Sequence, residues 1–116
     1  MKYMLLIYGD EGAAAQATPE QLHAQSDAYD VFTRSIVESG NFLDGDPFLP
    51  TSTAKTVAIR DGQTTTGDGP VEATRQQLLA YYKVEATDEG QALEMAARIP
   101  GAHTGTIEVR PVMTFD

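Results

Sequence analysis

Two stretches of the chain alternate so that both sides of a strand come out apolar. From Lys2 to Tyr8, the residues Tyr3, Leu5 and Ile7 take one side while Met4, Leu6 and Tyr8 take the other. From Leu78 onward, Leu78, Ala80, Tyr82 and Val84 share a side, and Leu79, Tyr81, Lys83 and Glu85 share the opposite one. A strand wanted apolar from both sides belongs in the interior of a sheet, so these two runs predict central strands. Thr106 to Val112 differs: Ile107 and Val109 alternate with Glu108 and Arg110, which leaves one polar side.

Helical signals fall between the strands. After a flexible Gly9 to Ala17 stretch, Thr18 is an N-cap, Pro19 occupies the first helical position, Glu20 lies near the positive end of the dipole and Gln21 completes a capping box. Leu22, Tyr29, Phe32 and Ile36 form one stripe, and Gly40 supplies the stop, giving a helix of about 20 residues. A second helix starts at Thr87 or Asp88, with Gln91 as its box residue, and ends before Pro100-Gly101; Leu93, Ala96, Ala97 and Ile99 give it a narrow inner face.

The middle of the chain carries edge and turn signals. Asn41 to Gly45 is a short strand interrupted by Asp46-Pro47 and Pro50, as suits a sheet edge. Thr53–Arg60 and Gln63–Thr66, joined by Asp61-Gly62, predict a hairpin appended to the core, since Val57 and Ile59 are its only large aliphatics. Gly67-Asp68-Gly69-Pro70 then breaks regular structure before the second central strand: both glycines permit positive φ, and proline locks φ and withholds a donor. The order β-α-β, hairpin insertion at about 53–67, then β-α-β predicts one α+β domain over 1–116 with a ferredoxin-like antiparallel sheet and both helices on one face. The other face, with Met4, Leu6, Tyr8 and Tyr81, would be left bare, and a homodimer covers it.

Composition narrows the partners. A net charge of −9 with eight scattered Lys and Arg residues speaks against nucleic acid and against an anionic membrane surface. Without cysteine there is neither a disulfide framework nor a thiol nucleophile. The first apolar run is shorter than a signal-peptide core and is followed by Gly9-Asp10-Glu11, so a cytoplasmic protein is expected. Two histidines 80 positions apart make no metal site, and Gly67-Asp68-Gly69-Pro70 lacks the lysine and helix start of a phosphate loop. No metal or cofactor is expected.

Lys2-Tyr3-Met4-Leu5-Leu6-Ile7-Tyr8, Asp68-Gly69-Pro70, Ala96-Ala97-Arg98-Ile99-Pro100 and Glu108-Val109-Arg110-Pro111-Val112, in that order along nearly the whole chain, resemble the YCII-related proteins, in the branch named for an Asp-Gly-Pro-Phe motif. The resemblance implies a dimeric α+β barrel made of two ferredoxin-like units. Most such proteins are uncharacterised; some accompany extracytoplasmic-function sigma factors, and one relative removes chloride from an aromatic substrate. Here the motif's Phe is Val71, and the Glu two positions beyond it is Ala73, with Glu72 displaced by one. Wider relatives carry a His near the start of the first helix and an Asp near its end as a proposed catalytic pair. By alignment on Pro19 the His falls at Gln21, with His23 two residues later; by alignment on Gly40, Glu38 stands in place of the Asp.

The candidate chemistry is sparse. His23 and Asp27, four apart on a helix, could form an imidazole base oriented by a carboxylate, or simply belong to the helix's solvated side with Asp30 and Arg34. Asp68 is either an acid or base or the cap of its own turn, and His103 lies in a solvated loop. Lys83 and Arg110 could hold an anionic ligand or pair with Glu85 and Glu108; Tyr8, Tyr81 and Tyr82 could wall an aromatic one or pack in the core. Together these give two readings. One is a binder of a small aromatic or anionic metabolite, with a pocket between the sheet and the long helix or at the dimer interface; if it is catalytic, the mode is cofactor-free proton transfer of lyase or isomerase type by Asp68, His23 or Glu38. The other is a non-enzymatic regulatory module that docks on a basic protein.

Overall fold

The two runs that are apolar on both sides form the middle of the sheet. They are β1 (Lys2–Gly9) and β5 (Gln77–Glu85), paired antiparallel with Leu5 opposite Tyr82 and Leu6 opposite Tyr81. Outside them lie β2 (Phe42–Pro47), against β5, and β6 (Thr106–Pro111), against β1, so the spatial order is β2-β5-β1-β6. This is the ferredoxin-like arrangement, seen here in a computed structural model that describes residues 1–115. Asp116, the last residue of the expected domain, lies outside them.

Both helices cover the same face. α2 (Pro19–Glu38) and α3 (Glu89–Arg98) place Phe32, Ile36, Ala92, Met95 and Ala96 in one cluster with Tyr3, Leu5, Ile7, Tyr82 and Val84. Leu5, Ile36, Met95, Ile99 and Val84 are sealed from solvent, and each such side chain contributes roughly 1.5–3 kcal/mol by leaving water. Local signals set the helix ends. Gln21 N donates to Thr18 Oγ1 at 3.1 Å while Thr18 N donates to Gln21 Oε1 at 2.9 Å, a complete capping box. At the far end Asn41 N donates to Ile36 O and Gly40 N to Val37 O, the paired bonds of a Schellman close. Asp88 caps α3 through Gln91 N, and Gln91 reaches back to Thr87 N.

Four details depart from the sequence pattern. The Gly9 to Ala17 stretch contains a short helix, α1 (Glu11–Ala15): Asp10 caps it through Gly12 N, Arg75 holds Asp10 at 3.1 Å, and Glu11 binds Thr51. Leu22 is 47% exposed, because the first half of α2 runs beyond the part that packs on the sheet. The inner face of α3 is Ala92, Met95, Ala96 and the following Ile99, whereas Leu93 is 52% exposed, a rotation of one residue from the stripe read in the sequence. A bulge in β5 exchanges its leucines: Leu78 stands opposite Tyr8, and Leu79 turns over Gly9, its Cδ1 2.8 Å from where a Cβ there would lie.

The face away from the helices is bare. Arg110, Met4, Lys83 and Asp44 make one row across it, and Glu108, Leu6, Tyr81 and Asp46 the next, with Tyr8 and Leu78 beyond. Its centre is apolar apart from Lys83, and its margins are charged. β3 (Lys55–Arg60) and β4 (Gln63–Asp68) form a separate hairpin around Asp61 and Gly62, whose φ values of +51° and +75° make the turn. Of the two glycines expected to use positive φ at the break, Gly69 does, at +88°, and Gly67 lies in β4. Among the described residues the hairpin strands pack on each other and substantially on no other element. The radius of gyration is accordingly 16.2 Å, against about 13 Å for a closely packed chain of this length.

Candidate functional site

Between the middle of α2 and the β2–β5 side of the sheet lies a cavity of about 450 Å³. Helix spacing brings Gln25, Tyr29 and Thr33 to it on successive turns, with Asp30 beside them. Ile7, Leu79, Ala80 and Tyr82 form the sheet side, and Phe42, Gly45 and Pro47 close the flank. The β5 bulge matters here, since it turns Leu79 and Ala80 to the same side. Gly45 matters as well: a Cβ there would come within 2.8 Å of the Tyr82 ring, so a side chain would push that ring out of place. Phe32 and Phe42 meet Tyr82 edge-on, at 5.3 and 6.4 Å between centroids.

Both tyrosine hydroxyls on the helix side are anchored. Tyr82 shares a 2.6 Å hydrogen bond with Thr33, and Tyr29 accepts one from Gly101 N at 3.1 Å. Burial raises the pKa of each above the ordinary phenol value; the Thr33 and Gly101 hydrogen bonds act in the opposite direction, and the Asp30 carboxylate adds to the rise at Tyr82. Both phenols therefore stay protonated near neutral pH and can donate hydrogen bonds. The cavity is apolar-walled, with a polar rim of an amide, the Asp30 and Asp46 carboxylates and hydroxyls.

The residues singled out in the sequence are dispersed. Tyr82 stands in the cavity wall, and Tyr81 lines the cavity beside it while its hydroxyl reaches Asp44 and Asp46. Tyr8, Tyr81, Lys83 and Arg110 share the bare face, where Glu108 pairs with Arg110 at 2.7 Å. Tyr81 donates to Asp44 at 2.9 Å and Asp46 at 3.4 Å and stacks on Phe48; the Asp44 bond, then desolvation and the two negative charges, push its pKa up to about 12. His23 is exposed on α2, 3.4 Å from Asp27, and Glu38 is the exposed last residue of that helix. Asp68 ends β4 and is held by Lys55 at 2.6 Å; His103 is exposed in a 3-10 turn, Pro100–His103. Asp68, His23 and Glu38 are thus outside the cavity. In the sequence Tyr29 reads only as part of the core stripe and Asp30 only as part of the solvated side, and Thr33 belongs to neither. The missed signal is a polar Thr33 one turn beyond Tyr29, bordering the apolar stripe.

Among the described residues no group of three or more His, Cys, Asp or Glu side chains is gathered to hold a metal, and no helix is long and apolar enough to cross a membrane. Fold and cavity together define a small ferredoxin-like α+β protein with a recess between helix and sheet. The chain belongs to the YCII-related domain family, whose model matches residues 1–116. It is also 30% identical over 117 residues to an uncharacterized protein of Rhizobium meliloti (strain 1021), R00369, covering 99% of this chain and 94% of that one.

Proposed function

We propose that this protein binds a small, largely apolar and flat molecule in the recess between α2 and the sheet, and does so as a homodimer whose second copy covers the bare face. The cavity carries the reading. Its volume suits a small aromatic compound, its walls are the rings of Tyr29, Phe42 and Tyr82, and two anchored phenols offer donors to a polar substituent. An anionic ligand would draw instead on Lys83 and Arg110, which lie outside the recess on the bare face. Proton-transfer chemistry of lyase or isomerase type would draw on Asp30 or Asp46 as base, both lining the recess, with Tyr29 and Tyr82 as donors; no cofactor enters this reading.

A thermal-shift titration with phenol, 2-phenylethanol and benzoate tests it. Millimolar aromatic probe should raise the melting temperature, as selective binding to the folded state must, and Ala80→Phe, which fills the recess, should cancel the rise while leaving the fold intact. Unchanged melting temperatures and unchanged amide NMR spectra with all three probes would overturn it. The acidic helices support a second reading, a regulatory module docking on a basic protein, as the sigma-factor-linked relatives suggest. That reading needs no ligand response at all.

A further inference from the structure

Two-stranded hairpins are marginal alone in water, and this one leaves Val57 and Ile59 67% and 63% exposed on one side. In register they stand opposite Thr66 and Thr64, so the two aliphatics make an apolar strip on one face of the hairpin. Among the described residues nothing covers it: both side chains are mostly exposed, and β3 and β4 pack substantially on no other element. Six-residue strands extend about 20 Å, and the enlarged radius of gyration records that reach.

Charge says which occupant fits. The six strands carry five basic residues (Lys2, Lys55, Arg60, Lys83 and Arg110) and five acidic ones (Asp44, Asp46, Asp68, Glu85 and Glu108), which balance. The whole net charge of −9 therefore sits on helices and connections. Two copies meeting through helices would repel, whereas two meeting through strand surfaces would not. The hairpin also alternates sign along its edge, with Lys55 paired to Asp68 at its root and Arg60 beside Asp61 at its tip.

We infer that the β3–β4 hairpin is an arm whose Val57–Ile59 face packs on a second copy of this chain. This extends the proposed dimer by a second contact, separate from the bare sheet face. Each chain then contributes one arm and receives one, as a two-fold requires.

Sedimentation velocity over a concentration series tests the inference, comparing the native chain with Val57→Thr/Ile59→Thr, which keeps the β-branched shape favoured in strands. The native chain should dimerise, and the double variant should dimerise about a hundredfold more weakly, with an unchanged far-ultraviolet circular dichroism spectrum. Because the chain has no cysteine, Ile59→Cys labelled with a polarity-sensitive fluorophore gives an independent readout: its emission should shift to the blue as dimer forms. Undiminished dimerisation of the double variant, or emission independent of concentration, would overturn the arm and leave the sheet-face dimer standing. A native chain that stays monomeric would remove both.

Discussion

The two faces of the four-stranded sheet are built from the same strands and live in opposite surroundings. On the helix side Tyr3, Leu5 and Ile7 of β1 are buried by α2 and α3; one residue along, Met4, Leu6 and Tyr8 are half-buried, with only charged margins around them. The sequence alternates in the same way on both sides, so it states that both must leave water. It does not state what covers each. Helices of the same chain cover one, and a second copy is the proposed cover of the other.

The largest effects should separate the faces. Leu5→Ala, at a site sealed from solvent, should lower the unfolding free energy by about 2–5 kcal/mol in urea denaturation at any protein concentration. Leu6→Ala should cost less in dilute solution, where its side chain is only half-buried, and its main effect should appear as weaker association. Equal losses at low concentration would erase the distinction. A smaller effect is expected at Gly101, where an added Cβ would come within 2.6 Å of the Tyr29 hydroxyl and 3.1 Å of Ile7. Gly101→Ala should lower stability by about 1–3 kcal/mol and weaken probe binding in the recess, whereas Gly40→Ala, with open space around it but a φ of +81°, should lower stability without touching binding.

The smallest effects concern titration, and they too differ by face. Tyr29 and Tyr82 are raised chiefly by burial, Tyr81 chiefly by its bond to Asp44. For Tyr81 the folded value, about 12, stands above the unfolded value of 10.0. Its contribution to stability is therefore fully present below pH 10.0 and is lost as pH rises toward about 12. In an absorbance titration at phenolate wavelengths, Tyr81→Phe should remove the group titrating near 12, and Asp44→Asn should bring that group down. A titration curve unaltered by Asp44→Asn would show that the carboxylate is not the cause.

Much of the fold was legible because local chemistry and burial point the same way. Thr18-Pro19-Glu20-Gln21 fixes a helix start by side-chain bonds that need no tertiary partner, and Asp61-Gly62 fixes a turn through positive φ. The β5 bulge and the rotation of α3 were not legible. Each depends on packing: Leu79 leaves strict alternation to fill the space over Gly9, and Met95 outcompetes Leu93 for the core by where the helix lies. The recess was hidden for the same reason, since its lining comes from four elements and its polar residues, apart from the pairs Tyr29-Asp30 and Tyr81-Tyr82, are scattered along the chain. His23, Asp68 and Glu38 stood out in the sequence because they are isolated ionisable groups, a property that surface residues share.

One measurement bears most directly on the division between the faces: sedimentation equilibrium of the native chain beside Leu6→Lys, which sets a charge in the middle of the bare face. The account predicts twice the monomer mass for the native chain at micromolar concentration and a folded monomer for the variant. A native chain of monomer mass at the highest attainable concentration, or a variant that dimerises as well as the native chain, would contradict it.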